Sequence, residues 1–260
     1  MALVDLRAEL FTICESWLND IDSAIVSELT LPVYLKLYHC PYADCRGSGT
    51  ALLYQDGLDV NKVFSAEWFS FEVFEWLVVF RSVCLGVVIM YRPTYSVEHP
   101  VTTSVFFHEF LVYLECLVMC NELMLICGDI NIYMDVPSDA DTIWLKDLLN
   151  SMGMVQHVKQ PTHIHGHTLD LIISWQTDDI VDSEPLPERY FSDHAAMICK
   201  LSGAKPPLRI KHVEYRKLKS IDITKLKEDI WNSQLYEDPP NDLNMLLDCY
   251  ITTLKGLCQT

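Results

Sequence analysis

The sequence predicts an α/β fold in which two packed β-sheets are flanked by helices. Three observations lead there. Half of the 260 residues are hydrophobic and 11% are aromatic, enough for one large layered core. Short apolar runs with strand character alternate with two amphipathic stretches of helical spacing. The alternation does not follow a strict strand-helix-strand repeat, so a doubly wound parallel sheet is not the expected arrangement.

The elements follow in chain order. Residues 1–9 read as a helix end that leads into a strand at Leu10 to Cys14. Arg46 to Tyr54 begins with a glycine turn, Gly47-Ser48-Gly49, and continues as a strand. Phe69 to Tyr91 is apolar enough to raise the question of a membrane span. Glu72, Glu75 and Arg81 fall inside it at costly positions, so two buried strands with a turn near Arg81 and Ser82 are expected. Val105 to Met119 places Phe106, Phe110, Val112, Tyr113 and Leu117 at helical spacing, which predicts a helix packed on a sheet. Leu123 to Cys127 reads as a buried strand. Ser138 to Ser151 reads as a helix with Ser138 or Asp139 at its N-cap, ending before Gly153. Thr168 to Ile173 is another strand-like run, with Asp170 inside it, and a buried acid needs a partner or an ion. Pro206-Pro207 marks a boundary, giving a domain over 1–203 and a tail over 204–260, with one or two surface helices between Lys211 and Leu235.

Charge and cysteine content bound the function. The formal net charge is −17, and residues 1–203 carry ten basic against 28 acidic residues. Affinity for nucleic-acid phosphates comes chiefly from clustered Lys and Arg, so any DNA binding is expected to be weak. The ten cysteines show no spacing of a disulfide framework, and several (Cys14, Cys84, Cys127, Cys199) sit in apolar runs as small hydrophobes, as in a reducing compartment. No signal peptide and no membrane span is read, so the expected location is intracellular, in nucleus or cytoplasm. Protein partners are not legible.

The chemistry-bearing residues fall in a few short segments. Gly128-Asp129-Ile130-Asn131 puts a carboxylate and a carboxamide two positions apart behind a buried strand, and an extended chain would present both on one face. An EF-hand calcium loop is excluded by the missing acid and glycine positions after them; an Asx turn is the structural alternative. Asp170 and Ser192-Asp193-His194 offer a carboxylate that can fix the tautomer of an imidazole and raise its pKa, so that His194 serves as a general base or as a cation. A serine-hydrolase triad is the competing explanation, but no Gly-x-Ser-x-Gly elbow is present. His157, His163, His165 and His167 form a local cluster that invites a zinc reading, yet no cysteine accompanies them.

Taken in order, Glu15 in Ile13-Cys14-Glu15-Ser16-Trp17-Leu18, Tyr91-Arg92-Pro93, Gly128-Asp129-Ile130-Asn131, Pro161-Thr162-His163 with Gly166-His167-Thr168-Leu169-Asp170, and Ser192-Asp193-His194 resemble the endonuclease/exonuclease/phosphatase, DNase I-like family. The likeness is greatest to the apurinic-type endonuclease domain of non-LTR retrotransposons, and it runs from about residue 3 to about residue 235.

The resemblance implies a four-layer sandwich and Mg²⁺-dependent (Mn²⁺ possible) phosphodiester hydrolysis, with DNA as substrate. It implies Glu15 and Asp193 as metal ligands, Asp129 and Asn131 on the attacking water and phosphate, Asp170 orienting His194, and Tyr91 lining the phosphate. The family's first strand, whose asparagine orients the glutamate, would precede Met1, so the sandwich is expected without it. A phosphatase acting on a small ester, and an inactive transposon-derived fragment acting at most as a binding module, are the rival expectations.

Overall fold

A computed structural model describes residues 8–18, 23–30, 35–40, 49–63, 68–80, 83–97, 99–202 and 223–257. The chain divides into two compact units, Met1–Pro207 and Leu208–Thr260.

The first unit is built on a six-stranded mixed sheet of order β4-β5-β6-β7-β9-β8. Its strands are β4 (Asp59–Val63), β5 (Glu72–Phe80), β6 (Val83–Tyr91), β7 (Leu123–Asp129), β8 (Met154–Gln156) and β9 (Asp170–Trp175). Only β6 and β7 run parallel. The apolar stretch from Phe69 to Tyr91 is indeed two strands, paired antiparallel from Glu72 opposite Tyr91 to Phe80 opposite Val83; the expected turn at residues 81 and 82 lies outside the described residues. The acids within that stretch are satisfied in place. Glu72 Oε2 accepts from the Gly49 amide at 3.0 Å, and Glu75 Oε1 accepts from the Tyr113 hydroxyl at 3.1 Å.

Strand alternation sends side chains to two cores, one on each face of this sheet. On one face Val88, Met90, Ile126, Leu171 and Ile173 pack against two helices. Helix α2 (Thr103–Leu117) supplies Phe106, Phe110 and Leu114, all fully buried, and α3 (Ala140–Ser151) supplies Leu145 and Leu149. Removing such a side chain from water is worth roughly 1.5–3 kcal/mol. Asp139 caps α3, accepting from the amides of Asp141 and Thr142, and Gly153 continues the chain at φ 69°.

On the other face Val87, Ile89, Leu125, Cys127 and Ile172 pack against a second β-layer. That layer comes in two pieces. Strands β1 (Leu10–Ile13), β2 (Leu35–Cys40) and β3 (Thr50–Gln55) form an antiparallel sheet of order β1-β3-β2. Strands β10 (Leu186–Tyr190) and β11 (Ala195–Ile198) form a separate antiparallel pair. The expectation of two packed sheets therefore holds, with the second sheet divided. Residues 1–7, where a helix end was expected, and the glycine turn at 46–48 lie outside the described residues.

A short helix α1 (Ser23–Leu29) completes the first unit. The second unit contains α4 (Ile223–Trp231), α5 (Gln234–Glu237) and α6 (Leu243–Leu257). The first two fall within or beside the stretch where surface helices were expected, and all three lie in the segment 204–260 that was expected to be a linker-like helical tail. Among the described residues no helix is long and apolar enough to cross a membrane, and no disulfide links the seven described cysteines that are free.

Candidate active site

The site grows out of strand register. Glu72 pairs with Tyr91, Tyr91 with Asp129 and Asp129 with Asp170, so four polar residues stand in one rank across β5, β6, β7 and β9. Each of the last three follows the alternation of the residues that face the divided β-layer: Ile89 precedes Tyr91, Cys127 precedes Asp129, and Ile172 follows Asp170. The rank thus opens at one end of the same face on which β1 lies.

From β1 the chain reaches back over this rank. Glu15, just past the strand end, adopts φ 51°, and its Oε1 accepts from the Tyr91 hydroxyl at 2.5 Å. Burial, followed by this hydrogen bond to a carboxylate, pushes the Tyr91 phenol above its ordinary range. A left-handed glutamate is uncommon and costs about 1 kcal/mol or more, which the surrounding structure must offset.

Asp129 and Asn131 do not lie on an extended chain. Asn131 sits at φ 53°. Asp129 Oδ1 accepts from the Asn131 amide at 3.0 Å and Oδ2 from the Asn131 side-chain nitrogen at 3.0 Å, so the segment is an Asx turn. The Asn131 nitrogen also donates to the Arg92 carbonyl at 2.9 Å. The turn brings carboxylate and carboxamide together by folding back, where simple alternation would have left them side by side. Gly128 makes the approach possible: at φ 145° a Cβ there would fall 1.8 Å from the Met90 carbonyl oxygen.

Asp170 and His194 meet as the sequence suggests, with His194 Nδ1 at 2.7 Å from Asp170 Oδ2. This hydrogen bond, with the charges of Asp170, Asp129 and Asp193 adding to it and burial opposing, raises His194 to about 9. Asp129 is 5% exposed. Burial and then the charge of Asp170 push it up to about 7, against the pull of His194 and the Asn131 amide. The charge of Asp170, opposite Asp129 across β7 and β9, thus disfavours ionisation of Asp129.

Asp193 and Glu15 line the same cavity as Asp129, Asp170 and His194. As placed, however, Asp193 stands with histidines: Asp193 Oδ2 is 3.5 Å from His163 Nε2. His163, Asp193 and His194 form the one group among the described residues whose ligand atoms are already close enough to share an ion. Glu15 is not part of that group. The four-histidine cluster is dispersed: His157 bonds Ser174 at 2.9 Å, and His167 bonds Asp135 at 3.0 Å. His163 instead accepts the His165 amide on Nδ1 at 3.2 Å.

Two residues of the quoted segments, Thr162 and Arg92, have supporting roles that the sequence did not assign. Thr162, fully buried, accepts on its hydroxyl from the amides of Leu169 and Asp170 at 3.0 and 3.1 Å, and its carbonyl accepts from Ala195 N at 2.7 Å. It thereby ties both members of the Asp170–His194 pair to one loop. Arg92, from the Tyr91-Arg92-Pro93 segment, is 6% exposed. Its guanidinium donates to the carbonyls of Ile130 and Asn131 and to the Thr103 hydroxyl, so it braces the Asx turn from within. Its neighbour Pro93 and the apolar run before it were the only sequence hints of burial.

No family model matches the sequence, and no curated protein is similar to it in sequence. Among solved structures, the endonuclease domain of TRAS1, a telomere-specific non-LTR retrotransposon, superposes with a TM-score of 0.57 at 14% identity, covering 76% of this chain and 87% of that one. The human Nocturnin catalytic domain gives 0.55 at 15% identity, over 77% and 83% of the two chains. The AP endonuclease LMAP from Leishmania major gives 0.53 at 13% identity, over 75% and 78%. At such identities the likeness is one of fold: the chain has the DNase I-like fold of endonuclease/exonuclease/phosphatase proteins.

Proposed function

We propose that this protein is a divalent-metal-dependent phosphodiesterase of the endonuclease/exonuclease/phosphatase family, an intracellular endonuclease of the retrotransposon type acting on DNA. The observation that carries the reading is the rank Tyr91, Asp129, Asp170 with His194 bonded to Asp170 at its end.

The donor set suits Mg²⁺, which takes hard oxygen ligands: the carboxylates of Glu15, Asp129, Asp170 and Asp193 line one cavity, and Asp129 is raised by burial first and by the charge of Asp170 second, the latter being a charge that a cation would offset. Glu15 and Asp193 would hold the ion. When bound, the ion supplies charge neutralisation at the phosphorus and the leaving oxygen.

This chain's own residues do the rest. Asp129, near neutrality at about 7, is matched to take a proton from the attacking water. Asn131, whose amide nitrogen is spent on Asp129 and the Arg92 carbonyl, holds that carboxylate in place. His194, raised to about 9, is an imidazolium at neutral pH and serves as a charged donor to a phosphate oxygen, with Asp170 accepting from its Nδ1 and so holding the orientation of the ring. Tyr91 orients Glu15.

The test is nicking of supercoiled plasmid in Mg²⁺ at low salt by the protein and by His194→Ala. A loss of roughly two or more orders of magnitude in the variant is expected. Equal rates at background would leave a non-catalytic binding module in its place. The strongly acidic first 203 residues favour a second substrate class, a small phosphate ester; turnover of such an ester with no plasmid nicking would select it.

A further inference from the structure

The phosphodiesterase reading gives no task to His163, yet His163, Asp193 and His194 form a group. Their ligand atoms lie within 4.8 Å of one another, and Asp193 Oδ2 stands 3.5 Å from His163 Nε2. The rings of His163 and His194 meet edge to face with centroids 4.9 Å apart. Of the neighbouring histidines, His157 and His167 are bonded elsewhere, to Ser174 and Asp135.

Backbone pairing builds the group. His163 and His194 stand opposite each other in an antiparallel bridge, Ile164 N donates to the Asp193 carbonyl at 2.9 Å, and Ala195 N donates to the Thr162 carbonyl at 2.7 Å. The loops 162–164 and 193–195 are thus laced together, so the three ligands are gathered by fixed backbone and not by rotamer choice alone. A carboxylate also stands behind one of them. Asp170 takes Nδ1 of His194 at 2.7 Å, which leaves Nε2 as the nitrogen free to meet an ion. A carboxylate on the far nitrogen of a ligating imidazole orients the ring and raises its basicity, the usual support behind a zinc-binding histidine.

The donor types select the ion. Two imidazole nitrogens and one carboxylate oxygen match the three-ligand sites of Zn²⁺, which complete a tetrahedron with water, whereas Mg²⁺ takes oxygen and keeps several waters. Access is open from one side, since the Asp193 side chain is 59% exposed and that of His163 only 14%.

We propose that His163, Asp193 and His194 form a Zn²⁺ site that shares Asp193 with the Mg²⁺ position and switches the enzyme off when loaded. The ion displaces the Nε2 proton of His194 to solvent while Nδ1–H stays on Asp170. His163 ligates through Nε2 with its proton on Nδ1, which frees the exposed His165 amide now 3.2 Å from Nδ1. The switch, unlike the site, rests on the phosphodiesterase reading: His194 loses the proton it gives to a phosphate oxygen, and Asp193 is withdrawn from Mg²⁺.

Binding and activity are measured separately on the whole protein at pH 8, where imidazole is more readily neutral. Calorimetric titration with Zn²⁺ gives affinity and stoichiometry. Co²⁺ serves as the spectroscopic stand-in, because the ten cysteines compete as ligands and thiolate coordination adds a near-ultraviolet charge-transfer band that imidazole and carboxylate lack. One ion per chain without that band is expected. Asp170→Asn should weaken zinc binding by about 10–100-fold, and His163→Ala, which removes a ligand, by at least as much. Asp193→Asn is the second ligand variant, and melting curves without metal check that each variant is folded. In the plasmid assay with Mg²⁺, one equivalent of Zn²⁺ should slow the parent by about 100-fold, the scale of losing a charged donor at the reacting group, and should slow His163→Ala far less. Unchanged zinc affinity in His163→Ala and Asp193→Asn, or a cobalt spectrum dominated by thiolate, overturns the site. Equal slowing of parent and His163→Ala, or nicking supported by zinc alone, overturns the switch. A parent that binds zinc as stated but never nicks plasmid upholds the site and overturns the phosphodiesterase reading together with the switch.

Discussion

Replacing Asp170 by Asn removes one negative charge from the centre of the site while keeping the shape of the side chain and an oxygen that can still accept from His194 Nδ1. The substitution therefore isolates electrostatics from geometry. His194 stands at about 9 against an ordinary value of 6.5, and the first cause is its bond to Asp170. At 1.36 kcal/mol per unit this difference corresponds to about 3 kcal/mol favouring the imidazolium. Both partners are about three-quarters shielded, 26% and 23% exposed, so solvent takes only part of that away. In the variant burial remains and pulls the imidazole down, while the charges of Asp129 and Asp193 pull it up, so His194 should titrate near or below 7. Its folded-state pKa is raised in the parent, so the stabilisation is fully present below about 6.5 and is lost as pH rises through about 9. The parent should accordingly exceed Asp170→Asn in stability by about 2–3 kcal/mol at pH 6 and by much less at pH 10. NMR titration of the His194 ring, with urea unfolding at the two pH values, measures both quantities. A His194 pKa that moves by less than about half a unit would refute the assignment of this pair as the source of the imidazolium.

Further tests address the other parts of the site. Mg²⁺ at about tenfold its dissociation constant should add about 1.4 kcal/mol and raise the melting temperature by roughly 3–5 °C, and Glu15→Gln should remove the shift; a parent curve that ignores Mg²⁺ argues against a metal at Glu15. Thr162→Val leaves two buried amides, those of Leu169 and Asp170, without their acceptor and should cost about 2–4 kcal/mol by chemical denaturation; a loss under about 0.5 kcal/mol would mean that water replaces the hydroxyl. Gly128→Ala drives a methyl into the Met90 carbonyl and should cost at least about 3 kcal/mol, read as lost solubility or a collapsed melting temperature, whereas Gly256→Ala, where nothing lies within 4 Å and the backbone is not left-handed, should cost much less. Duplex binding should be weak and fall steeply with salt, and Arg92→Gln should affect it through stability rather than through a lost phosphate contact.

The parts of this fold that sequence reveals are those with local rules. The pair of strands within Phe69 to Tyr91 followed from length and from the cost of charges in lipid, and α3 from its cap at Asp139 and the glycine beyond its end. The Asp170–His194 contact was foreseeable because an acid amid Leu and Ile needs a partner. Other features depend on tertiary register. Nothing near Asp129 in sequence says that it pairs with both Tyr91 and Asp170, yet those pairings create the rank. The Asx turn was one of two readings of Gly-Asp-x-Asn, and the decision between them comes from Arg92, some forty residues away in the chain, whose guanidinium and carbonyl hold the turn closed. Strands β2, β4 and β10 escaped notice because their sequences, such as Asp59-Val60-Asn61-Lys62-Val63, are half polar and gain strand geometry from a neighbour.

The same register that builds the site also sets its electrostatic cost. Asp129, 5% exposed and opposite Asp170, has a pKa raised to about 7, so its ionisation on folding opposes stability above its ordinary pKa of 3.8, with the full penalty reached once pH passes about 7. His194, with its raised pKa, likewise withdraws its contribution as pH increases. Both groups therefore tilt the protein toward greater stability in mild acid, and neither offsets the other. What holds the rank together at neutral pH is the packing around it: Ile89, Cys127 and Ile172 beneath one face, and Met90, Ile126, Leu171 and Ile173 on the other. A cation among these carboxylates would reverse the sign of the Asp129 contribution by favouring the ionised form. It follows that Mg²⁺ should stabilise the protein more at pH 8 than at pH 5.5.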